Sequence, residues 1–341
     1  MHAVSAGLTR RLRSTRSLVL GYVLGYLTLA GVLVLGQSSP LRAAALVTHL
    51  DADIAGPFWV DKFARWDSDW YLGIATEGYH YIPGQQSPVA FFPAYPMVVR
   101  AMAALVGNAA VAAHLVSLAC GLLAIACFRR WARMRLSPGA ARYAVWGLVL
   151  YPFGVYLYGM VYGDALFLAA AVGAFVLLER DHLLAAGVLG AVATGCRPVG
   201  IAVTVGLLLR TVERRAQTGE SMAPGSGASR PGPLSLRALA RAVPRLRGRD
   251  LLPAVSIGGL GAWMTYLWVS FGDPLAFVRV EGAPGWDQGV GPSTWLKHQY
   301  VEALRDGSSA APILTVNAIA AGLVVALVPL VRRRLGWGYA A

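Results

Sequence analysis

Long apolar runs alternate with short basic clusters from Ser17 to Val331. Seven runs stand out: Ser17–Gly36, Asn108–Phe128, Ala140–Gly159, Val161–Leu178, Leu183–Arg210, Leu251–Phe271 and Pro312–Val331. A helix needs about 20 apolar residues to cross the hydrocarbon core. The pattern therefore predicts an all-α polytopic membrane protein, with residues 1–341 as a single membrane domain. Arg10, Arg11, Arg13 and Arg16 precede the first run as they would a signal peptide. That run is about 20 residues, longer than the usual 7–15-residue signal core, and reads as a retained first transmembrane helix.

Basic clusters fall at Arg10–Arg16, Arg129–Arg142, Arg210–Arg249 and Arg332–Arg334. The positive-inside tendency places all four in the cytoplasm. Seven single crossings break that parity between Arg180 and Arg210. The run Leu183–Arg210 contains Gly195 and Pro198, so a hairpin turning near Cys196-Arg197-Pro198 restores it. The expectation is about eight transmembrane segments, with both termini cytoplasmic. Residues 37–107 become a large first outer loop, 211–249 a flexible basic cytoplasmic loop touching anionic lipid, and 272–311 a second outer loop. The acidic residues collect outside, at Asp51–Glu77, Asp164 and Asp273–Asp306. Acids do not steer insertion, so their placement points to an outward-facing functional surface.

In the first outer loop, Trp59, Phe63, Trp66, Trp70 and Ile74 recur at 4-3-4-4 spacing and predict one face of an interfacial helix. On that wheel Asp67 lies roughly 60° from the face centre and Asp69 about 100° away on the other flank, some 160° apart. Asp67, one turn before Tyr71, is the better candidate for a desolvated carboxylate able to accept a proton, with Asp69 secondary. The alternative is that Asp67 caps a helix or pairs with Arg65. Phe91-Phe92-Pro93-Ala94-Tyr95-Pro96 reads as an extended entry to a second interfacial helix, Met97–Leu105, or as a membrane-anchoring corner. Tyr158, Tyr162 and Asp164 form a further outer cluster. Arg197, inside an apolar run, needs a partner: either Asp164 or an anionic group such as a phosphate. Trp286, Asp287, Gln288, Trp295, Lys297 and His298 suit carbohydrate or head-group contact, or a plain connecting loop.

Composition refines this picture. Of 341 residues, 56% are hydrophobic and 14% charged, against about 25% charged in soluble domains. The net charge is +13 and the pI about 10.1, but the charge is distributed as topology clusters, so no nucleic-acid partner is expected. The three cysteines, Cys120, Cys127 and Cys196, lie in apolar runs without zinc spacing. No metal site is expected, no cofactor is required as far as the residues indicate, and a divalent ion stays open.

Several of these residues resemble the PIG-V-type mannosyltransferases, a branch of the GT-C superfamily of membrane glycosyltransferases. The resemblance runs through Trp66-Asp67, Gly78-Tyr79, Ala90-Phe91-Phe92-Pro93 with Pro96, Tyr151-Pro152, Tyr162–Phe167, Thr194–Gly200 and Gly272–Phe277, across most of residues 10–290. It implies a GT-C-like fold and an inverting enzyme with its active site on the outer face. The donor would be polyprenyl-phosphate-linked mannose, and the acceptor a glycan, glycolipid or protein. Asp67 matches the motif aspartate cast as catalytic. Gly163-Asp164 stands where relatives carry Ser-Glu or Thr-Glu, an acid one carbon shorter. Relatives commonly continue to a later Ser…Arg-Tyr motif, so the chain is expected to be a short or truncated member.

In this reading Asp67 is the base, while Arg197, Tyr162 and Asp164 bind the donor phosphate. Trp66, Trp70, Tyr71, Phe92 and Tyr95 position substrate among membrane lipids and limit water. Two other functions stay open. A lipid-linked-sugar transporter or flippase would favour repeated halves, and none is seen. A non-catalytic partner would bind the lipid-linked sugar for another transferase.

Overall fold

The computed structural model describes residues 2–35, 57–221, 234–286, 298–307 and 311–341. Among them the protein is all-α, with no strand. In chain order the helices are α1 (His2–Leu35), α2 (Phe58–Asp61), α3 (Ser68–Thr76), α4 (Ala94–Val106), α5 (Ala109–Arg135), α6 (Pro138–Val149) and α7 (Asp164–Glu179). They continue as α8 (Leu183–Cys196), α9 (Ile201–Ser221), α10 (Leu236–Ala242), α11 (Gly258–Phe271), α12 (Ala276–Arg279), α13 (His298–Arg305) and α14 (Ala311–Leu335). A 3-10 stretch, Gly248–Ile257, runs directly into α11.

The runs expected as eight segments overlap α1, α5, α6, α7, α8, α9, α11 with its 3-10 lead, and α14. Among the described residues, four spans are long and apolar enough to cross a membrane: Thr15–Val34, Ala109–Arg135, Gly248–Phe271 and Leu314–Leu335. Of the others, α6, α7 and α8 are shorter, at 12, 16 and 14 residues, and α9 is long enough but carries Arg210, Glu213, Arg214 and Arg215. The run expected over Ala140–Gly159 ends as a helix at Val149, because Pro152 opens a 3-10 stretch, Pro152–Leu157. α6 itself starts where Ser137 Oγ accepts from the Ala140 amide, with Pro138 in the first turn. The hairpin in Leu183–Arg210 is present. α8 stops at Cys196, Arg197 is extended at φ −159°, and the chain turns through Pro198–Gly200 into α9.

Small residues let the central helices approach closely. At Gly259 a Cβ would collide with the Ala191 carbonyl and the Thr194 hydroxyl. The same interface is bridged by polar contacts, as Thr194 Oγ1 donates to the Ser256 carbonyl at 2.6 Å and Ser256 Oγ to Thr204 Oγ1 at 2.9 Å.

The basic loop expected over 211–249 is narrower than the sequence implies. α9 continues to Ser221, residues 234–249 form α10 and turns, and Arg215 grips Asp250 through two contacts of 2.7 Å. The ends of α5, α7 and α14 meet the chain terminus here. Arg210 Nε contacts Glu179 Oε1 at 2.5 Å, and its Nη1 contacts Glu213 Oε2 at 3.2 Å. The Tyr339 hydroxyl donates to Glu179 at 2.6 Å, the Trp337 amide to Glu213 at 2.5 Å, and Arg135 Nη2 to the Leu335 carbonyl at 3.0 Å.

Candidate functional site

The single interfacial helix expected over Trp59–Ile74 does not form. α2 ends at Asp61, the chain turns, and α3 begins at Ser68. The break centres on Trp66, whose φ of +53° places a bulky residue in the left-handed region, at a cost of about 1–2 kcal/mol. Neighbouring bonds hold it there. The Arg65 amide donates to Ser68 Oγ at 2.8 Å, Ser68 Oγ lies 3.1 Å from the Val161 carbonyl, and the Val161 amide donates to the Phe63 carbonyl at 3.1 Å. The Trp66 ring packs against Tyr156 and Tyr162. The wheel that separated Asp67 from Asp69 therefore does not apply. Asp67 occupies the N-cap position of α3, and Asp69 lies in its first turn.

Asp67 caps nothing with its side chain, and Arg65 turns its guanidinium to the Ala64 carbonyl. The capping and Arg65-pairing alternatives are thus not what the fold uses. Instead the Tyr162 hydroxyl accepts from the Asp67 amide at 2.7 Å, which sets the phenol beside the Asp67 carboxylate. Asp67 is exposed on one flank and meets the aromatic wall on the other. Burial on the walled side pushes its carboxyl up from the ordinary range, while the Tyr162 hydrogen bond and the positive charge of Arg197 pull it down less strongly.

Arg197 and Asp164 arrive from a distant part of the chain. Asp164 is the first residue of α7, and Arg197 sits in the turn between α8 and α9. They pair at 2.6 Å, with side chains 26% and 35% exposed. Burial drives the pKa of the Tyr71 hydroxyl upward, and the nearby positive charge of Arg197 opposes that push. One cation thus links Asp164, Tyr71 and the field at Asp67, and both partners proposed for Arg197 remain compatible: it is paired, yet half-open.

The aromatic candidates divide into two groups. Trp66 and Tyr71 line the Asp67 side, and Trp70 stacks on Phe91 with Trp286 set against both rings. Tyr95 is only 1% exposed and lies beneath Tyr71, its hydroxyl 3.1 Å from the Ala113 carbonyl and 2.9 Å from Ser117 Oγ. Phe92 is 2% exposed, in a separate cluster with Trp263 and Phe277. These two support the wall rather than face its open side. Tyr158 also turns away, its hydroxyl bonded to the Val149 carbonyl at 2.6 Å. Tyr156 takes the place expected for it, packed on Trp66 and Tyr162. The 3-10 stretch makes that exchange, and a helical reading of 140–159 hides it.

Arg100 is a second residue that sequence reasoning missed. From α4 it binds the Ala75, Ile74 and Thr76 carbonyls at 2.6, 3.2 and 3.2 Å, satisfying the C-terminal end of α3. Of the segment 272–311, expected as a second outer loop, Asp287, Gln288, Trp295 and Lys297 lie outside the described residues, and His298 opens α13. Asp273 is structural: it accepts from the Leu275 amide at 3.0 Å and pairs with Arg279 at 2.9 Å. Among the described residues no group of three or more His, Cys, Asp or Glu is placed to hold a metal ion.

Fold and site thus define an all-α membrane protein with a carboxylate–tyrosine–arginine cluster set in an aromatic wall. Over 157 residues the chain is 32% identical to GPI alpha-1,6-mannosyltransferase 2 of Cricetulus griseus, a match covering 43% of this chain and 31% of that protein. The chain therefore spans about a third of the length of this curated relative. No family model matches the chain, and no solved structure matches it.

Proposed function

We propose that the chain is a membrane mannosyltransferase that takes mannose from a polyprenyl-phosphate carrier and passes it, with inversion, to an acceptor hydroxyl on the outer side. The observation that carries this reading is the convergence of Asp67, Tyr162, Arg197 and Asp164 from three separate segments onto one half-open site. The similarity to a named mannosyltransferase supports the class of reaction, and the basic clusters support the cytoplasmic placement of the opposite end.

A sugar phosphate already carries a stable anionic leaving group, so a single displacement needs one base and one cation. The acceptor oxygen forms a bond to the sugar C1 as the C1–O bond to phosphate breaks. The bonding pair leaves on the phosphate oxygen, and the acceptor proton passes to Asp67. Arg197, held by Asp164, offers a planar fork of donors to the phosphate. Tyr162 keeps the Asp67 backbone and carboxylate oriented together.

An apolar groove supports a lipid-linked donor. It measures about 650 Å³ and lies between α1 and α6, with Leu24, Gly25, Trp146 and Val155 among its walls. Val155 and Tyr156 are adjacent in the 3-10 stretch, one lining the groove and the other packed on Trp66. An isoprenoid chain in the groove would place its phosphate toward the aromatic wall.

Asp67→Asn keeps size and removes the base. Mannosyl transfer from a polyprenyl-phosphate donor is expected to fall about a hundredfold or more, with thermal unfolding unchanged. Retained transfer removes Asp67 from this role. Substrate flux in proteoliposomes with no glycosylated product would replace the transferase reading with a transporter.

A further inference from the structure

At the end of the bundle opposite Asp67, three arginines from two distant segments share one cavity. Arg237 comes from the first turn of α10, and Arg332 and Arg333 from the last turn of α14. The cavity measures about 480 Å³, and Leu234, Leu236 and Trp337 form its apolar side. The Arg332 guanidinium lies 4.6 Å from the centroid of the Trp337 ring.

Nearby arginines are neutralised within the chain. Arg210 meets Glu179, Arg214 meets Asp181 and Arg215 meets Asp250. Among the described residues, Arg237, Arg332 and Arg333 have no such carboxylate. Three like charges around one cavity repel each other unless an anion joins them. The surroundings indicate what kind of anion. Leu236 and Val243, seven residues apart and so on one helical face, are 65% and 52% exposed beside the arginines. Leu323, Val324 and Leu330 of α14 are likewise exposed along the adjoining helix. The cavity thus lies where cationic and bare apolar surface meet, which matches a phosphate joined to acyl chains rather than a free ion.

We propose that this cavity binds the head group of an anionic phospholipid, on the membrane face opposite Asp67. Its occupant would also fasten the terminal segment. Trp337 donates its indole proton to the Leu234 carbonyl at 2.9 Å and its amide proton to Glu213 at 2.5 Å. The cavity wall and the buried Glu213–Arg210–Glu179 cluster are therefore one continuous assembly.

The test uses the full chain in nanodiscs of phosphatidylcholine with or without phosphatidylglycerol, with retained lipid read by native mass spectrometry. The wild-type protein is expected to retain phosphatidylglycerol in preference to phosphatidylcholine. Arg237→Gln with Arg333→Gln is expected to lower that preference about tenfold. Arg130→Gln with Arg245→Gln removes the same charge from exposed positions outside the cavity and is expected to leave it intact. Thermal unfolding in pure phosphatidylcholine reports whether the first pair still folds. If it does not, Arg237→Lys with Arg333→Lys is measured instead and is expected to keep the preference, and its loss there overturns the proposal. Equal loss in the 237/333 and 130/245 pairs overturns the proposal in favour of general surface attraction. Displacement of the lipid by millimolar inorganic phosphate overturns it in favour of a free-phosphate site.

Discussion

α7 carries an ion pair at each end, and the two are built in opposite ways. At its first residue, Asp164 meets Arg197 with both side chains about a quarter to a third exposed. At its last, Glu179 meets Arg210 with exposures of 10% and 3%, and Glu213 and Tyr339 close around them. A buried cluster stabilises only as a complete set, because removing one member leaves the others as uncompensated charges. A half-open pair adds little to stability, so its value lies in what it can bind. The difference separates a closed, fully paired end of the helix from an open one, the end at which the proposed donor would bind.

The sharpest way to break this contrast is to remove one cation at each end. Arg210→Met should cost about 3–5 kcal/mol, read as a large fall in the unfolding temperature in detergent. Arg197→Gln should cost about 1 kcal/mol or less while mannosyl transfer falls about a hundredfold, the size of a lost donor to developing negative charge. Equal losses of stability at the two ends would erase the distinction.

Next comes pH. A base must be ionised, so the acid limb of kcat/KM should follow Asp67, which burial holds above the ordinary carboxylate range. Tyr162→Phe removes a hydrogen bond that pulls this pKa down. The Asp67 carboxyl then rises further, and the acid limb should move to higher pH. A limb that stays in place would belong to another group. The smallest effect is expected at Arg100→Gln, which frees the last carbonyls of α3 for about 1 kcal/mol. Hydrogen exchange should quicken at residues 75–80, the amides of the last turn and the segment beyond it, and stay unchanged in α7.

Much of the helical framework was legible from apolar run length: α1, α5, the α8–α9 hairpin and α14 fall where the hydrophobic pattern puts them. The aromatic period of the first outer loop misled for a specific reason. Trp59 and Phe63 pack on His114, Trp66 on Tyr156 and Tyr162, and Trp70 on Phe91 and Trp286. The spacing satisfies three separate groups of partners across a break, and a wheel reads it as one face. Asp67 stands out in the sequence as an acid among tryptophans, while its contact with Tyr162 is set by the fold. Arg100 does not stand out, since its work is to bind backbone carbonyls in another helix, which leaves no mark on the residue pattern. Arg197 was legible as a cation needing a partner, with Asp164 one of two alternatives, while the pair itself and its approach to Tyr71 required the fold.

α7 has one more consequence, and it concerns length. Its 16 residues set its two charged ends about 22 Å apart, with Asp164 held by Arg197 and Glu179 by Arg210. The helix is a ruler read at both marks. Inserting one residue near its middle would swing one mark by roughly 100° and slide it about 1.5 Å. An insertion of four would restore the angle to within about 40° but lengthen the ruler by about 6 Å. Neither keeps both readings true, so α7 can change its side chains far more freely than its count.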